Sequence, residues 1–265
     1  MTVGIFYICT GKYSIFWETF YKSAEKYLLP DCTREYFVFT DDEKILPTEH
    51  IHVYYERAKG FPLDSLLRFE LFLRVEDDTK NCDYLYFFNS NMQFIRTITV
   101  EMFLPTEAEC GLAALRHPGY YNKGAFWLPY ERRKKSMAFI PYSRKDTSYK
   151  YYMGSLNGGM RDEYLKLIKE CRANVQKDFD NDVMAIYHDE SHLNRYLHGK
   201  NIKELSPAFG FPEHANLPFE PYCVILNKME HGGKYFDKLP KTAYALRLRL
   251  FVKRVYTALK WRLGL

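Results

Sequence analysis

The stretch Asp83-Tyr84-Leu85-Tyr86-Phe87-Phe88-Asn89-Ser90-Asn91-Met92-Gln93-Phe94 constrains the fold of this chain more than any other. An apolar, aromatic run of strand length stops at two amides separated by one small residue. In an open α/β sheet, ligands bind just beyond the carboxyl ends of the strands. A buried strand that delivers Asn89-Ser90-Asn91 to its own end is therefore a candidate site. The plainer reading is a strand followed by an Asn-rich turn.

Its neighbours argue for the sheet. Val3–Cys9 reads as a strand, Thr10-Gly11-Lys12-Tyr13 as the loop after it, and Ser14–Leu29 as a helix with Ser14 as N-cap and Pro30 beyond its end. Strands follow at Glu35–Thr40 and Ile51–Tyr55. This order predicts an α/β domain with a parallel, nucleotide-binding type of sheet. Neither GxGxxG nor GxxxxGK[ST] occurs, so the dinucleotide fingerprint and the P-loop are both excluded.

Asp64–Glu76 predicts an amphipathic helix in which Arg68 sits among Leu66, Leu67, Phe69, Leu71 and Phe72. A guanidinium so placed reaches water or a carboxylate, or is held at a ligand phosphate, which its planar fork suits. Gly111–Leu115 reads as a strand leading into the turn Arg116-His117-Pro118-Gly119-Tyr120-Tyr121. The polar, basic segment 122–150 has the length of a functional loop. Tyr151–Gly159 is an aromatic strand running into glycines, which leave room for something bulky against the backbone. A helix over Asp162–Lys177, a second from about Asp180, and a strand at Tyr222–Leu226 complete the body.

Composition excludes several classes. The six cysteines are scattered, which speaks against a disulfide framework or a cysteine zinc site and fits a reducing compartment. Met1 leads directly into the first strand, and there is neither a signal-peptide pattern nor a run of 18 apolar residues. Residues 241–265 hold seven basic residues and no acid, so of the chain's +5 the first 240 residues carry −2. That balance lacks the broad basic face of a nucleic-acid binder. Leu248, Val252, Val255, Leu259 and Leu263 recur at helical spacing beside Arg249, Lys253, Arg254 and Lys260. A basic amphipathic helix of this kind lies on an anionic membrane surface; the alternative is a helix packed on the body. The expected organisation is a catalytic domain over 1–240 and a membrane-surface tail over 241–265, on the cytoplasmic face.

The segment Tyr187-His188-Asp189-Glu190-Ser191-His192-Leu193-Asn194 places two histidines four apart, but the HExxH order is broken. A solvated helix face is one reading. The other is a buried carboxylate, Glu190, aimed at a reacting centre, as in glycosyl chemistry.

Asp83-Tyr84-Leu85 with Asn89-Ser90-Asn91, His117-Pro118-Gly119-Tyr120-Tyr121, Tyr130-Glu131-Arg132-Arg133, Tyr151-Tyr152-x-Gly154 with Gly158-Gly159, and His188 to Asn194 occur in this order. Together, over about residues 3 to 235, they resemble the retaining α-1,3-galactosyl- and N-acetylgalactosaminyltransferases that include the ABO blood-group enzymes, and especially their short bacterial relatives. The resemblance implies a GT-A-like fold that binds a UDP-sugar. It places Tyr13 against uracil, with Ile8, Cys9 and Thr10 lining the same pocket, and Arg68 near the donor sugar and diphosphate. It gives Glu190 the role of nucleophile or cation stabiliser and Asp189 that of a donor-sugar contact. Met153 and Ser155, flanking Gly154, fall where the donor C2 group is discriminated, and His117 and Glu213 where an acceptor galactose is held.

The departures from the family pattern carry expectations of their own. Asn89 and Asn91 stand for the two aspartates of DxD, and neutral amides hold a hard divalent cation poorly. Transfer is therefore expected to need no divalent metal or other cofactor, with Lys12, Lys228 and Lys234 as partners for the leaving diphosphate. Long Met153, and Ser155 in place of a smaller residue, favour UDP-galactose over UDP-N-acetylgalactosamine. Pro129 and Tyr187 replace a threonine and a tryptophan on the acceptor side, which leaves a β-galactoside terminus, on a lipid carrier in the membrane reading. The competing reading is a UDP-sugar-binding protein without turnover.

Overall fold

The computed structural model describes residues 1–232 and 255–263. In chain order, strand β1 (Thr2–Ile8) leads through a 3-10 turn at Gly11–Phe16 into helix α1 (Trp17–Tyr27), followed by β2 (Thr33–Thr40) and β3 (Ile51–Tyr55). Two short helices, α2 (Leu63–Leu66) and α3 (Arg68–Leu73), precede β4 (Tyr84–Phe88), β5 (Met92–Phe94), α4 (Val100–Phe103) and β6 (Leu112–Arg116). After the irregular stretch come β7 (Tyr152–Met160), α5 (Arg161–Asp180) and α6 (His188–Leu197). Strands β8 (Lys203–Leu205), β9 (Phe211–Pro212) and β10 (Cys223–Ile225) and the turn of helix α7 (Lys228–His231) follow.

Seven strands form the main sheet in the order β3-β2-β1-β4-β7-β6-β8, and β5-β10-β9 form a small second sheet. Strands β3, β2, β1 and β4 are parallel, as the β-loop-α-β order predicts, but β7 runs antiparallel between β4 and β6. The sheet is therefore mixed. Burial on both faces explains the continuous apolar strands. Ile5, Tyr7, Tyr36, Val38, Tyr86 and Phe88 join one core with α1, while Phe6, Phe37, Phe39, Leu85 and Phe87 join the other with α3, α5 and α6. Alternate residues thus point to opposite helix layers. Helix α5 follows the same logic at helical period: Tyr164, Ile168, Cys171, Val175 and Asp178 form its buried stripe.

Several local expectations change, among them the helix expected from about Asp180, which starts instead at His188 while Asp180 ends α5. Ser14 is not an N-cap: it lies inside the 3-10 turn, and the α-helix starts at Trp17. The single helix expected over Asp64–Glu76 is broken at Leu67, whose φ of −93° and ψ of 7° lie outside the helical region. Arg68 thereby becomes the first residue of α3. The glycines of β7 also divide in use. A Cβ on Gly158 would stand 2.4 Å from the Leu85 carbonyl and 2.5 Å from the Tyr86 ring, so that glycine serves strand crossing rather than ligand binding.

The six cysteines are all free thiols and five are buried. Among the described residues, no helix is long and apolar enough to cross a membrane. The expected boundary at 240, and Lys234, Leu248, Arg249, Val252, Lys253 and Arg254, lie outside the described residues. Residues 255–263 are helical, and the side chains they bury are Ala258 and Trp261. Leu259 and Leu263 instead face outward, 49% and 68% exposed.

Candidate active site

A cavity of about 550 Å³ opens at the carboxyl ends of β1 and β4, where the sheet order places a ligand. Ile8, Thr10, Gly11, Lys12 and Tyr13 form one wall, and Arg68, Asn89, Ser90 and Lys228 another. Gly11 has φ of 55°, a left-handed conformation that lets the loop after β1 turn there. The Lys228 ammonium sits 4.8 Å from the centre of the Tyr13 ring. Burial, with Arg68 and Lys12 close by, lowers the pKa of Lys228. Three cations sharing one cavity repel each other, and a polyanionic ligand relieves that repulsion.

Arg68 connects this cavity to the carboxylates. Its Nη1 donates to the Gly154 carbonyl at 2.9 Å and lies 3.1 Å from Asp189 Oδ2. Its guanidinium stacks 4.4 Å over the Phe87 ring, and Nε donates to the Ser65 carbonyl. The arginine is thus paired with a carboxylate and also forms part of the cavity wall.

Asp189 and Glu190 occupy the first turn of α6, behind His188, whose φ of 51° sets the entry. Glu190 Oε2 accepts the Gly154 N–H at 2.7 Å, and Oε1 accepts the Tyr151 hydroxyl at 2.7 Å. Gly154 is needed here, because a Cβ would stand 3.0 Å from Asp189 Oδ2 and 3.3 Å from Glu190 Cβ. The bulky group for which β7 leaves room is this carboxylate pair. Asn194, one turn further along α6, accepts the Tyr152 N–H and donates to its carbonyl, both at 2.8 Å. That amide ties the helix to the start of β7 as a neighbouring strand would. Burial pushes Asp189 up to about 6 despite Arg68, and Glu190 up to about 7 despite its two donors. A carboxylate with a pKa displaced this far, fixed by a strand and a helix, has the electrostatic character of a reacting group.

On the other side of Glu190 lie the aromatic groups expected near an acceptor. His117 packs 4.7 Å from Tyr120 and 5.8 Å from Tyr151, ring to ring. Its Nδ1 accepts the Gly119 N–H, and burial lowers its pKa to about 4, so the ring is neutral. Tyr187 is partly exposed just ahead of α6.

Other expected residues are turned away from the cavity. Cys9 is fully buried, its thiol pushed up to about 12. Asn91 donates through Nδ2 to the Leu226 carbonyl at 2.7 Å, and its Oδ1 is enclosed, so it joins β10 to the strand end. Met153 packs against the core, and Ser155 is buried beside Asn89, whose N–H donates to the Ser155 carbonyl. Glu213 is engaged by the Asn227 N–H and by His231. His192 is a core residue 3.6 Å from Asp178, and His188 packs edge-on to Phe61, so the two histidines have separate environments. Tyr151, Asn194, Phe61, Asp64 and Ser65 belong to the site as well, although no sequence pattern assigns them a role.

Residues 1–226 match the model of glycosyltransferase family 6. The chain belongs to that family. It is 35% identical over 215 residues to the O-antigen biosynthesis glycosyltransferase WbnI of Escherichia coli, covering 80% of this chain and 89% of the relative. It is 30% identical over 240 residues to globoside α-1,3-N-acetylgalactosaminyltransferase 1 of Gallus gallus, covering 87% and 67%. The histo-blood group ABO system transferase 2 of Rattus norvegicus is 30% identical over 221 residues, covering 78% and 63%. This family 6 protein is a hexosyltransferase that uses a nucleotide-sugar donor and a glycan acceptor. Its parallel-rich α/β sheet agrees with a GT-A-like architecture.

Proposed function

We propose that this family 6 transferase moves galactose from UDP-galactose to O3 of a β-galactoside, in an α-1,3 linkage, without a divalent metal, during synthesis of a bacterial surface glycan. The observation that carries the reading is Glu190, half-buried, doubly hydrogen-bonded and joined through Gly154 and Arg68 to a cationic cavity. In the reaction the bond between C1 of galactose and the diphosphate oxygen breaks, and acceptor O3 bonds to C1. The hydroxyl proton leaves with the diphosphate. Arg68, Lys12 and Lys228 oppose the charge gathering on the diphosphate, and the Glu190 carboxylate faces the positive charge on the sugar ring.

The donor set supports the metal-free reading. Neither Asn89 nor Asn91 contributes charge, which does not fit a hard divalent ion, and Asn91 is anchored through Nδ2 to the Leu226 carbonyl. The galactose preference follows from Met153 and Ser155 standing at the positions that discriminate the donor C2 group in the family pattern. Initial rates of acceptor-dependent UDP release from the two donors at equal concentration test the choice. A faster rate with UDP-N-acetylgalactosamine contradicts it.

The acceptor is proposed to be carried at an anionic membrane. Tyr256, Leu259, Lys260 and Leu263 form the outward face of the terminal helix, with Tyr256 55% exposed. A basic helix with such a face lies in the lipid interface. Leu259→Ser with Leu263→Ser is expected to abolish cosedimentation with anionic phospholipid vesicles while turnover of a soluble acceptor persists. Undiminished cosedimentation overturns this part of the reading.

A further inference from the structure

Trp261 lies beyond the region matched to the family, yet it is 3% exposed. Its indole N–H donates to the Ile140 carbonyl at 2.6 Å. Its ring centre is 4.9 Å from Tyr142, 5.6 Å from Tyr149 and 6.1 Å from Tyr130, and the Arg132 guanidinium lies 5.0 Å over it. Ala258, one turn earlier and buried, lets the helix approach closely. Leu128, Tyr130, Ile140, Tyr151 and Trp261 make up one buried cluster. The loop before β7, which holds only a short 3-10 turn of its own, is therefore packed around an indole supplied by the far end of the chain.

That cluster ends at the reacting carboxylate. Tyr130 packs 5.7 Å from Tyr151, ring to ring, and the Tyr151 hydroxyl donates to Glu190. Removing the indole leaves a void beside Tyr130 into which the neighbouring rings relax only partly. A hydrogen bond to a carboxylate weakens steeply when its donor moves or tilts. The loss reaches Glu190 through two rings in series, Tyr130 and Tyr151.

We propose that Trp261 is a positioning residue: by filling the cluster around Tyr130 it holds the Tyr151 hydroxyl on Glu190, so the C-terminal helix completes the active site. The inference rests on Glu190 being the carboxylate that faces the reacting sugar. A hydroxyl donating to the ionised carboxylate favours that form. The groups acting on Glu190 are the Tyr151 hydroxyl and the Gly154 N–H of β7, Asp189 on its own helix and Arg68 from α3. Of all these, only Tyr151 belongs to the Trp261 cluster.

The test is the pH profile of kcat, with donor KM, for the wild type, Trp261→Ala, Tyr151→Phe and the double variant, using a soluble acceptor. Trp261→Ala is expected to lower kcat about tenfold or more, the worth of a hydrogen bond to a charged group. Donor KM should stay within about twofold, and the acid limb should rise by about one pH unit. The double variant should be no worse than Tyr151→Phe, because both changes remove one contact. Trp261→Phe should recover most of the loss, and Leu259→Ser with Leu263→Ser on the outer face should leave kcat unchanged. An unchanged kcat in Trp261→Ala, a loss with an unmoved limb, or additive losses overturn the proposal. If Trp261→Ala does not melt cooperatively, Trp261→Leu is measured instead, with the same expected limb shift. A wild type that transfers no sugar, or a fully active Glu190→Gln, overturns the proposed function, whereas failure of this link leaves both of those results intact.

Discussion

Glu190→Gln is expected to lower kcat about 10³-fold, the scale of removing a preorganised charge from the reacting centre. Glutamine keeps the shape and still accepts the Gly154 N–H, so UDP binding should be unaffected. What disappears is the negative charge opposite the sugar ring as the bond to diphosphate lengthens. The pH profile of the wild type carries the same information. With Glu190 pushed up to about 7, kcat/KM should fall on the acid side with a midpoint near that value. Stability runs the other way. A carboxyl group whose folded pKa exceeds its unfolded value favours the fold fully below about 4.5 and loses that contribution as pH rises through about 7. The glutamine variant should therefore melt no lower than the wild type at pH 8. A variant with wild-type kcat, or a rate independent of pH between 5 and 8, would contradict the role.

Arg68→Ala is expected to damage both the fold and the reaction. It removes the partner of Asp189, a donor to the Gly154 carbonyl and the stack on Phe87 in one change. Breaking a buried ion pair from one side costs about 3–5 kcal/mol, because the remaining charge is left without compensation. Asp189 should respond by protonating at neutral pH, since burial already holds it at about 6 with the arginine present. The cavity also loses a cation, so donor KM should rise and kcat fall, together by about two orders of magnitude or more. Arg68→Lys should lie between, because an ammonium keeps the charge but not the fork that spans Ser65, Gly154 and Asp189. A urea midpoint and donor kinetics read both effects. An alanine variant as stable and as fast as the wild type would remove Arg68 from the account.

The sheet was legible because its strands are continuous apolar runs bounded by turn residues, and period-two burial on two faces leaves few alternatives. The antiparallel course of β7 was not, since direction depends on where the chain returns after residues 117–151, and no local pattern records that. Glu190 stood out through the motif from His188 to Asn194 that carries the resemblance, and Arg68 as a charge among leucines and phenylalanines. No local pattern announces the partner of Asn91, whose Nδ2 donates to the Leu226 carbonyl 135 positions away. Tyr151 was hidden for the opposite reason, because its ring is a core residue and only its hydroxyl serves the site. In the tail, residues 255–263 are helical, and the leucine stripe is not the face turned to the body: Leu259 and Leu263 are exposed. Trp261 and Ala258 take that place because an indole with a hydrogen-bond partner fills the aromatic cluster better than leucine could.

The central claim is acceptor-dependent sugar transfer that needs no divalent cation. UDP release from UDP-galactose, with and without a β-galactoside and in excess EDTA, tests it most directly. The account predicts release that rises with acceptor and stays near its full rate in chelator. Release that stops in EDTA and returns with Mn²⁺ would contradict it.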